Sequence, residues 1–336
     1  MPGKIRLAEG GGGEATANLI KEVFWSRLKH PELLKGNDGA VLDLNGGRVA
    51  LTTDSFVVAP WRFPGGDIGT LSVCGTVNDL TMMGAAPMGL TVSFIIEEGF
   101  ALTDLEMIAQ SLADTAAAAG APVVAGDTKV VNRGAADGIF INTTGLGVVR
   151  EGIRLGGELA QPGDAVILTG SAGDHGAAVL IARNELGITS GLTSDVAPLN
   201  RLLLPLAQHY RERLHVLRDP TRGGLATTLN EIARQSQVGI RLEEAAIPIK
   251  SEVKGITSLL GLDPLYLANE GKAVIIAEAS IAAEIVQGLR QEPLGREAAI
   301  IGEVCGDPAG LVSIRNPLGG ERILPLGSGE QLPRIC

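Results

Sequence analysis

Asp67-Ile68-Gly69-Thr70-Leu71-Ser72-Val73-Cys74-Gly75-Thr76-Val77-Asn78-Asp79-Leu80-Thr81-Met82-Met83-Gly84 is the stretch on which the fold turns. Its spacing predicts one helix from about Asp67 to Met83, stopped at Gly84. Ser72, Gly75, Thr76 and Asp79 share a small, polar face, and Val73, Val77 and Leu80 form an apolar one. A face of small residues with one carboxylate suits close approach to a ligand and equally suits tight helix packing.

Strands flank this helix. Residues 40–44 and 49–58 read as a pair around the Asn45-Gly46-Gly47 turn, and residues 88–96 as a third. A capping box, Thr103-Asp104-Leu105-Glu106, opens the next helix, which ends at Gly120. Residues 122–125 form a short buried strand running into Gly126-Asp127-Thr128-Lys129, and residues 139–149 a strand broken at Gly145 and Gly147. The order makes an α+β domain over residues 36–150. It is preceded by residues 1–35, a glycine-rich flap and a helix over 15–30.

A second α+β domain spans residues 158–322. Strands are expected at 164–169, 215–217, 239–242, 273–277 and 298–304, and a hairpin around Asn316-Pro317. Helices are expected at 174–186, 195–210 with Asp195 as cap, 225–236, 251–260 and 280–290. Residues 323–336 then form a mobile tail around Leu326-Gly327-Ser328-Gly329. Ten residues past Leu326 reach about 35 Å when extended. The tail carries Cys336, whose thiol lies beside an α-carboxylate that disfavours the thiolate. Cys336 is either a frayed end or a tethered carrier.

Bulk properties narrow the function. The chain has 336 residues, 45% hydrophobic and 3% aromatic, with 46 glycines and a net charge of −10. Such acidity argues against nucleic acid as a partner and suits carboxylates neutralised by metal ions. No apolar run is long enough to span a membrane. The N-terminus lacks a signal core, and three cysteines without metal-ligand spacing fit a reducing cytoplasm. Cys74 and Cys305 are expected to be core thiols.

Four aspartates, Asp38, Asp79, Asp127 and Asp219, sit at element ends among glycines or small residues. Single aspartates there usually form turns, whereas carboxylates converging from several elements bind Mg²⁺ that bridges to nucleotide phosphates. Gly11, Gly12 and Gly13 are either a linker or a flap whose N–H groups face phosphates, and Gly223-Gly224 offers the same. No Walker A motif, kinase loop set or dinucleotide fingerprint is present.

Gly65-Gly66-Asp67-Ile68-Gly69, Cys74-Gly75-Thr76-Val77-Asn78-Asp79-Leu80 and Gly126-Asp127-Thr128-Lys129-Val130-Val131 resemble the ATP-dependent superfamily of aminoimidazole ribonucleotide synthetase, selenophosphate synthetase and thiamine-monophosphate kinase. With Asp174-His175-Gly176, Arg218-Asp219-Pro220-Thr221-Arg222-Gly223-Gly224, Ala268-Asn269-Glu270-Gly271-Lys272 and the terminal Pro-Arg-Ile-Cys, the chain is similar to the HypE family of [NiFe]-hydrogenase maturation factors. One departure is visible: Glu9 stands where the family often has His, so no role of that His carries over.

The resemblance implies a homodimer whose N-terminal domains pair in a β-barrel-like interface. It implies carbamoyl loading of Cys336 by the carbamoyltransferase HypF and ATP-driven dehydration to a thiocyanate. Cyanide then passes to iron on a HypC–HypD complex. ATP and Mg²⁺ are the implied cofactors. Asp38, Asp79, Asp127 and Asp219 would hold the metal, and Gly11, Gly12, Gly13, Asn78, Thr128, His175 and Arg222 the nucleotide. Glu270 is the favoured base, and Lys129 would bind the γ-phosphate or polarise the amide oxygen. His175 would touch the nucleotide or the tail, or merely start a helix. Arg334 would steer the tail. Alternatives are a small-molecule phosphoryl-transfer enzyme of the superfamily and a nucleotide-bound scaffold.

Overall fold

The computed structural model describes residues 5, 7–11, 13–183, 187, 190–327, 332 and 334–336. Gly12, Ser328, Gly329 and Pro333, all singled out in the sequence, lie outside the described residues.

Two sheets organise the chain. The first has five strands in the order Ala40–Leu44, Gly47–Phe56, Ile139–Val149, Ala85–Glu97, Val123–Val131. Only the last pair is parallel, joined by helix Leu102–Ala119 as a crossover. The second has seven strands, with Asp164–Leu168 inside it, paired to both Ala299–Cys305 and Val274–Glu278. Every residue of Asp164–Leu168 is buried, because helices cover both faces there.

The central helix is Ile68–Met82, capped by Asp67, whose Oδ1 accepts the Thr70 N–H at 2.9 Å. Most of its small face is spent on packing. The Thr76 and Thr143 hydroxyls share a short hydrogen bond, and Thr143 donates to Ser72 O at 2.9 Å. A Cβ on Gly75 would meet the Phe56 ring at 2.8 Å, and one on Gly145 would meet Thr76 at 2.7 Å. The missing side chains let helix and strand touch. Asp79, the last member of that face, lies beyond this seam.

Several elements differ from their sequence reading. The first helix turns wide after Leu19 and ends at Trp25, short of residue 30. Helix Leu102–Ala119 starts without a side-chain cap; the Asp104 and Leu105 N–H groups bond Ala101 O instead. The helix expected from Asp195 begins only at Asn200, since Pro198 disfavours helical geometry at Ala197. The helix opening at Asp174 is described to Ala182. Ile139–Val149 is unbroken at Gly145 and Gly147 because it is paired on both sides. Val123–Val131 is a long, exposed edge strand rather than a short buried one. Cys74 is buried, but Cys305, at a strand end beside Arg241, is only half-buried.

The described parts of the tail are packed against the two domains. Leu324 is fully buried and bonds Val312 O, so it closes the second sheet. Ile335 and Cys336 are buried in the apolar cluster of the first domain, with Phe56, Val58 and Phe63.

Candidate active site

The site lies where the first sheet's central helix meets the loops of the second sheet. Asn78 pins that junction. Its Nδ2 donates to Ala197 O at 3.1 Å and Glu270 O at 3.3 Å, and its Oδ1 accepts Leu199 N–H at 2.7 Å. Asn78 is therefore occupied by protein, not free for a nucleotide.

Asp79, one residue on, stands among acids. Burial, then Asp219, Asp38 and Asp54, raise its carboxyl well above the ordinary range. Thr52 Oγ1 donates towards Asp38 O at 2.9 Å and Asp79 Oδ2 at 2.8 Å, and the second contact opposes the rise. Asp219 is likewise raised by burial and by Asp38. Asp38 is pushed up to about 6 by burial, held back by Arg218, whose Nε lies 2.9 Å from Asp38 Oδ1.

Asn269-Glu270-Gly271 is held from behind. Asp195 accepts the Glu270 N–H at 3.3 Å, the Gly271 N–H at 3.1 Å and Asn269 Nδ2 at 3.1 Å. Glu270 is buried, and its Oε1 has no hydrogen-bond partner. Burial first, then Asp219, Asp54 and Asp195, lift its carboxyl well above the usual value, against a smaller pull from Arg222.

Cys336 comes into the same field. Burial chiefly pushes its thiol up; Arg222 opposes, and Glu270, Asp54 and Asp219 add to the rise. Burial thus disfavours the thiolate of the docked tail. His175, fully buried, holds the residue before it: Nε2 is 2.7 Å from Ile335 O, and Nδ1 is 2.8 Å from Ser194 Oγ. A carbonyl only accepts, so Nε2 carries the proton, and burial keeps the ring neutral. His175 grips the tail.

The structure thus brings Asp38, Asp79, Asp219, Arg222, Glu270 and Cys336 into one charged neighbourhood. Asp127, Thr128 and Lys129 stand apart on the exposed edge strand, where Lys129 Nζ pairs with Asp127 at 2.7 Å. Gly13 lies against Gly327, and the next N–H, of Glu14, bonds Gly327 O at 3.0 Å. Gly10 O is 3.5 Å from Arg222 Nη1, which brings the loop containing Gly11 over the site. The Gly224 N–H bonds Thr221 O at 2.9 Å, and its φ of +63° leaves no room for a Cβ against Leu265 and Leu267. Gly224 serves loop packing, not phosphate.

Sequence reading missed Asp54 and Asp195. Asp54 interrupts the end of an apolar strand with a charge, a signal that was available. Asp195 reads as a helix cap in the sequence, a reading against which Pro198, three residues later, argues. Among the described residues, no three His, Cys, Asp or Glu side chains converge tightly enough to hold an ion unaided. No described helix is long and apolar enough to cross a membrane.

Comparison with known proteins follows this geometry. The model of the AIR synthase related protein N-terminal domain matches residues 36–149, and that of the C-terminal domain matches residues 161–314. Carbamoyl dehydratase HypE of Azotobacter vinelandii is 49% identical over 334 residues, covering 99% of this chain and 98% of that protein. The structure of a HypE–HypF complex superposes with TM-score 0.88 at 47% identity, covering 92% of this chain and 99% of that one. A hydrogenase maturation protein HypE in complex with ATP superposes with TM-score 0.83 at 47% identity, covering 99% and 100%.

Proposed function

The chain belongs to the HypE carbamoyl dehydratases of the AIR synthase related family, and from that premise we propose that the group it dehydrates rides on its own Cys336. It is an ATP-dependent dehydratase that makes the cyanide ligand of [NiFe]-hydrogenase. The single observation supporting the carrier role is that Cys336 is buried beside Glu270 and Arg222, within the acidic cluster.

The overall change turns an S-carboxamide and ATP into a thiocyanate, ADP and phosphate. ATP makes the amide oxygen a leaving group: the C–O bond breaks, oxygen departs as phosphate, and both N–H protons leave as the C≡N bond forms. One of these protons leaves with the phosphate, and Glu270 takes the other. Its free Oε1 can accept one, and its raised basicity suits a weakly acidic N–H. Arg222 holds negative charge next to the sulfur. His175 fixes the tail by Ile335 O. The docked thiol is a poor nucleophile, so loading takes place on an undocked tail, and the carbamoyltransferase HypF is the loading partner. Delivery to iron held by a HypC–HypD complex would follow.

Mg²⁺ fits the cluster. Asp38, Asp79 and Asp219 offer only oxygen donors, and their mutual repulsion calls for a cation. Water and phosphate oxygens would complete its shell. Bound there, it would offset phosphate charge.

A homodimer accounts for the remaining residues. Leu51, Met88, Ile95, Leu146 and Val148 leave the outer face of the first sheet apolar and exposed, and Asp127 and Lys129 share that face, paired in register with Ser93 and Ile95. A second copy on this face would cover it, and Asp127 and Lys129 would then act across the interface, while Thr128, in register with Phe94, lies on the opposite face. Cytoplasmic residence fits the free thiols.

Cys336→Ala tests the reading. We expect no carbamoyl mass on the chain after incubation with HypF, and ATP binding unchanged. In the wild type, ATP should remove the mass of one water from loaded Cys336. ATP turnover on a free small substrate with the tail untouched would overturn it.

A further inference from the structure

The docked tail is read along its backbone and at one side chain. Val57 N–H donates to Cys336 O at 3.0 Å, and Ala59 N–H to Arg334 O at 3.1 Å. The two bonds are two residues apart on each segment, and the segments run in opposite directions, so the tail lies antiparallel to the residues that follow Gly47–Phe56, with Arg334 turned to a φ of +51°. Arg183 Nη2 also donates to Arg334 O, at 3.1 Å, and His175 Nε2 to the carbonyl between, Ile335 O. The backbone oxygens of Arg334, Ile335 and Cys336 are thus all bound by residues more than 150 positions away.

Side chains add selectivity. The Arg334 guanidinium donates Nε to Val57 O at 2.8 Å, pairs with Asp137 through Nη1, and stacks 5.6 Å above the Phe140 ring. Ile335 is 5% exposed, in an apolar cluster with Val58 and Phe63. The described contacts hold Arg334, Ile335 and Cys336 in this groove, with Leu332 packed against the apolar clusters beside it, and a tether adds effective concentration.

We propose that Val57–Ala59, Asp137, Phe140, His175 and Arg183 form a peptide-binding site for an Arg-Ile-Cys segment, able to take that segment in trans from a second copy of the chain. Its biological use rests on the carrier role of Cys336, whereas binding itself rests on these backbone and side-chain contacts. A trans site would let a subunit with a defective acidic cluster have its loaded tail processed by a neighbour.

The test uses the full chain carrying Arg334→Glu, which places a carboxylate against Asp137 and frees the groove. The probe is a fluorescent peptide, Leu-Pro-Arg-Ile-Cys, read by anisotropy without ATP. We expect saturable binding, weakened about tenfold when the peptide carries Ala for Arg, as loss of an ion pair with a cation–π contact requires. In a chain that instead carries Asp137→Arg with the native Arg334, the chain's own tail is again repelled and the preference should reverse, so that Leu-Pro-Glu-Ile-Cys binds the better of the two. That reversal cannot come from a misfolded chain. Absence of saturable binding at millimolar peptide, or equal binding of the Arg and Ala peptides, overturns the proposal. Either result leaves dehydration in cis untouched.

Discussion

Two short stretches look alike in the sequence and are treated oppositely by the fold. Gly126-Asp127-Thr128-Lys129 and Asn269-Glu270-Gly271-Lys272 each set a carboxylate two residues before a lysine, among glycines. Lys129 and Asp127 are 66% and 59% exposed and satisfy one another. Water screens both, so Asp127 is held below its ordinary range, first by its bond from Lys129. Lys272 and Glu270 are both buried, and the lysine lies 3.7 Å from Asp195, not on Glu270. Glu270 is thereby left among like charges and pushed up. Side-chain type did not decide this. One stretch is a sheet edge and the other a loop enclosed between two domains, and enclosure is what turns a carboxylate into a base.

The largest effect expected from this contrast is at Glu270. Glu270→Gln should slow dehydration about 10²–10⁴-fold while HypF still loads Cys336. The wild-type profile should show the same group. A base works when deprotonated, and burial raises its folded value, so the rate should rise with pH and its acid limb should lie above the ordinary glutamate range. Single-turnover rates measured by mass spectrometry across pH give both results. Unchanged turnover in Glu270→Gln would remove the residue as base.

Lys129→Ala sharpens the other side. If Lys129 acts across a dimer, its loss costs up to about 10²-fold. A mixture of Lys129→Ala and Glu270→Gln chains should then recover activity, because some heterodimers hold one intact site. Recovery absent on mixing, with each variant folded, would confine the chemistry to one subunit.

How far these differences were legible depends on what periodicity reports. The helix Ile68–Met82 and the strands around it follow from spacing, because alternation and 3.6-residue recurrence mark faces. Spacing does not name the partner of a face. Ser72, Gly75 and Thr76 read equally as ligand contacts or packing, and only the Thr143 and Phe56 contacts decide for packing. Residues 122–125 read as a short buried strand because they are apolar; the exposure of the observed Val123–Val131 comes from being last in the sheet order. Glu270 and Cys336 were legible through family resemblance. Asp195 was not, since its role rests on three N–H groups some 75 residues away. The docking of Arg334 on Val57, 277 residues apart, has no local signal at all.

A smaller effect separates surface from stability. Ile95→Asp on the open sheet face should weaken dimerisation, seen as a concentration-dependent shift in sedimentation. It should change the monomer's unfolding free energy by no more than about 0.5 kcal/mol, as Ile95 is 42% exposed. A stable monomeric wild type would break the comparison at its exposed end, since Asp127 and Lys129 would then have no second site to join.

The smallest effect tests the enclosed end. Asp38 is raised from 3.8 to about 6, so the folded state binds a proton more tightly than the unfolded chain does. Its ionisation therefore costs stability above pH 6, and the cost disappears as pH falls from 6 towards 4. The shift corresponds to a ceiling of about 3 kcal/mol, and Arg218 and solvent relaxation will reduce what is measured to about 1 kcal/mol. Asp79 and Asp219 shift in the same direction, so the cluster as a whole favours lower pH in the absence of a cation. A divalent cation must compete with those protons. Mg²⁺ should accordingly raise the melting temperature by a few degrees at pH 8 and hardly at all at pH 5. Asp38→Asn should flatten the pH dependence and reduce the Mg²⁺ effect. Equal Mg²⁺ stabilisation at both pH values would mean that the ion binds elsewhere, at carboxylates already ionised, of which the Asp127 edge is the nearest example in kind.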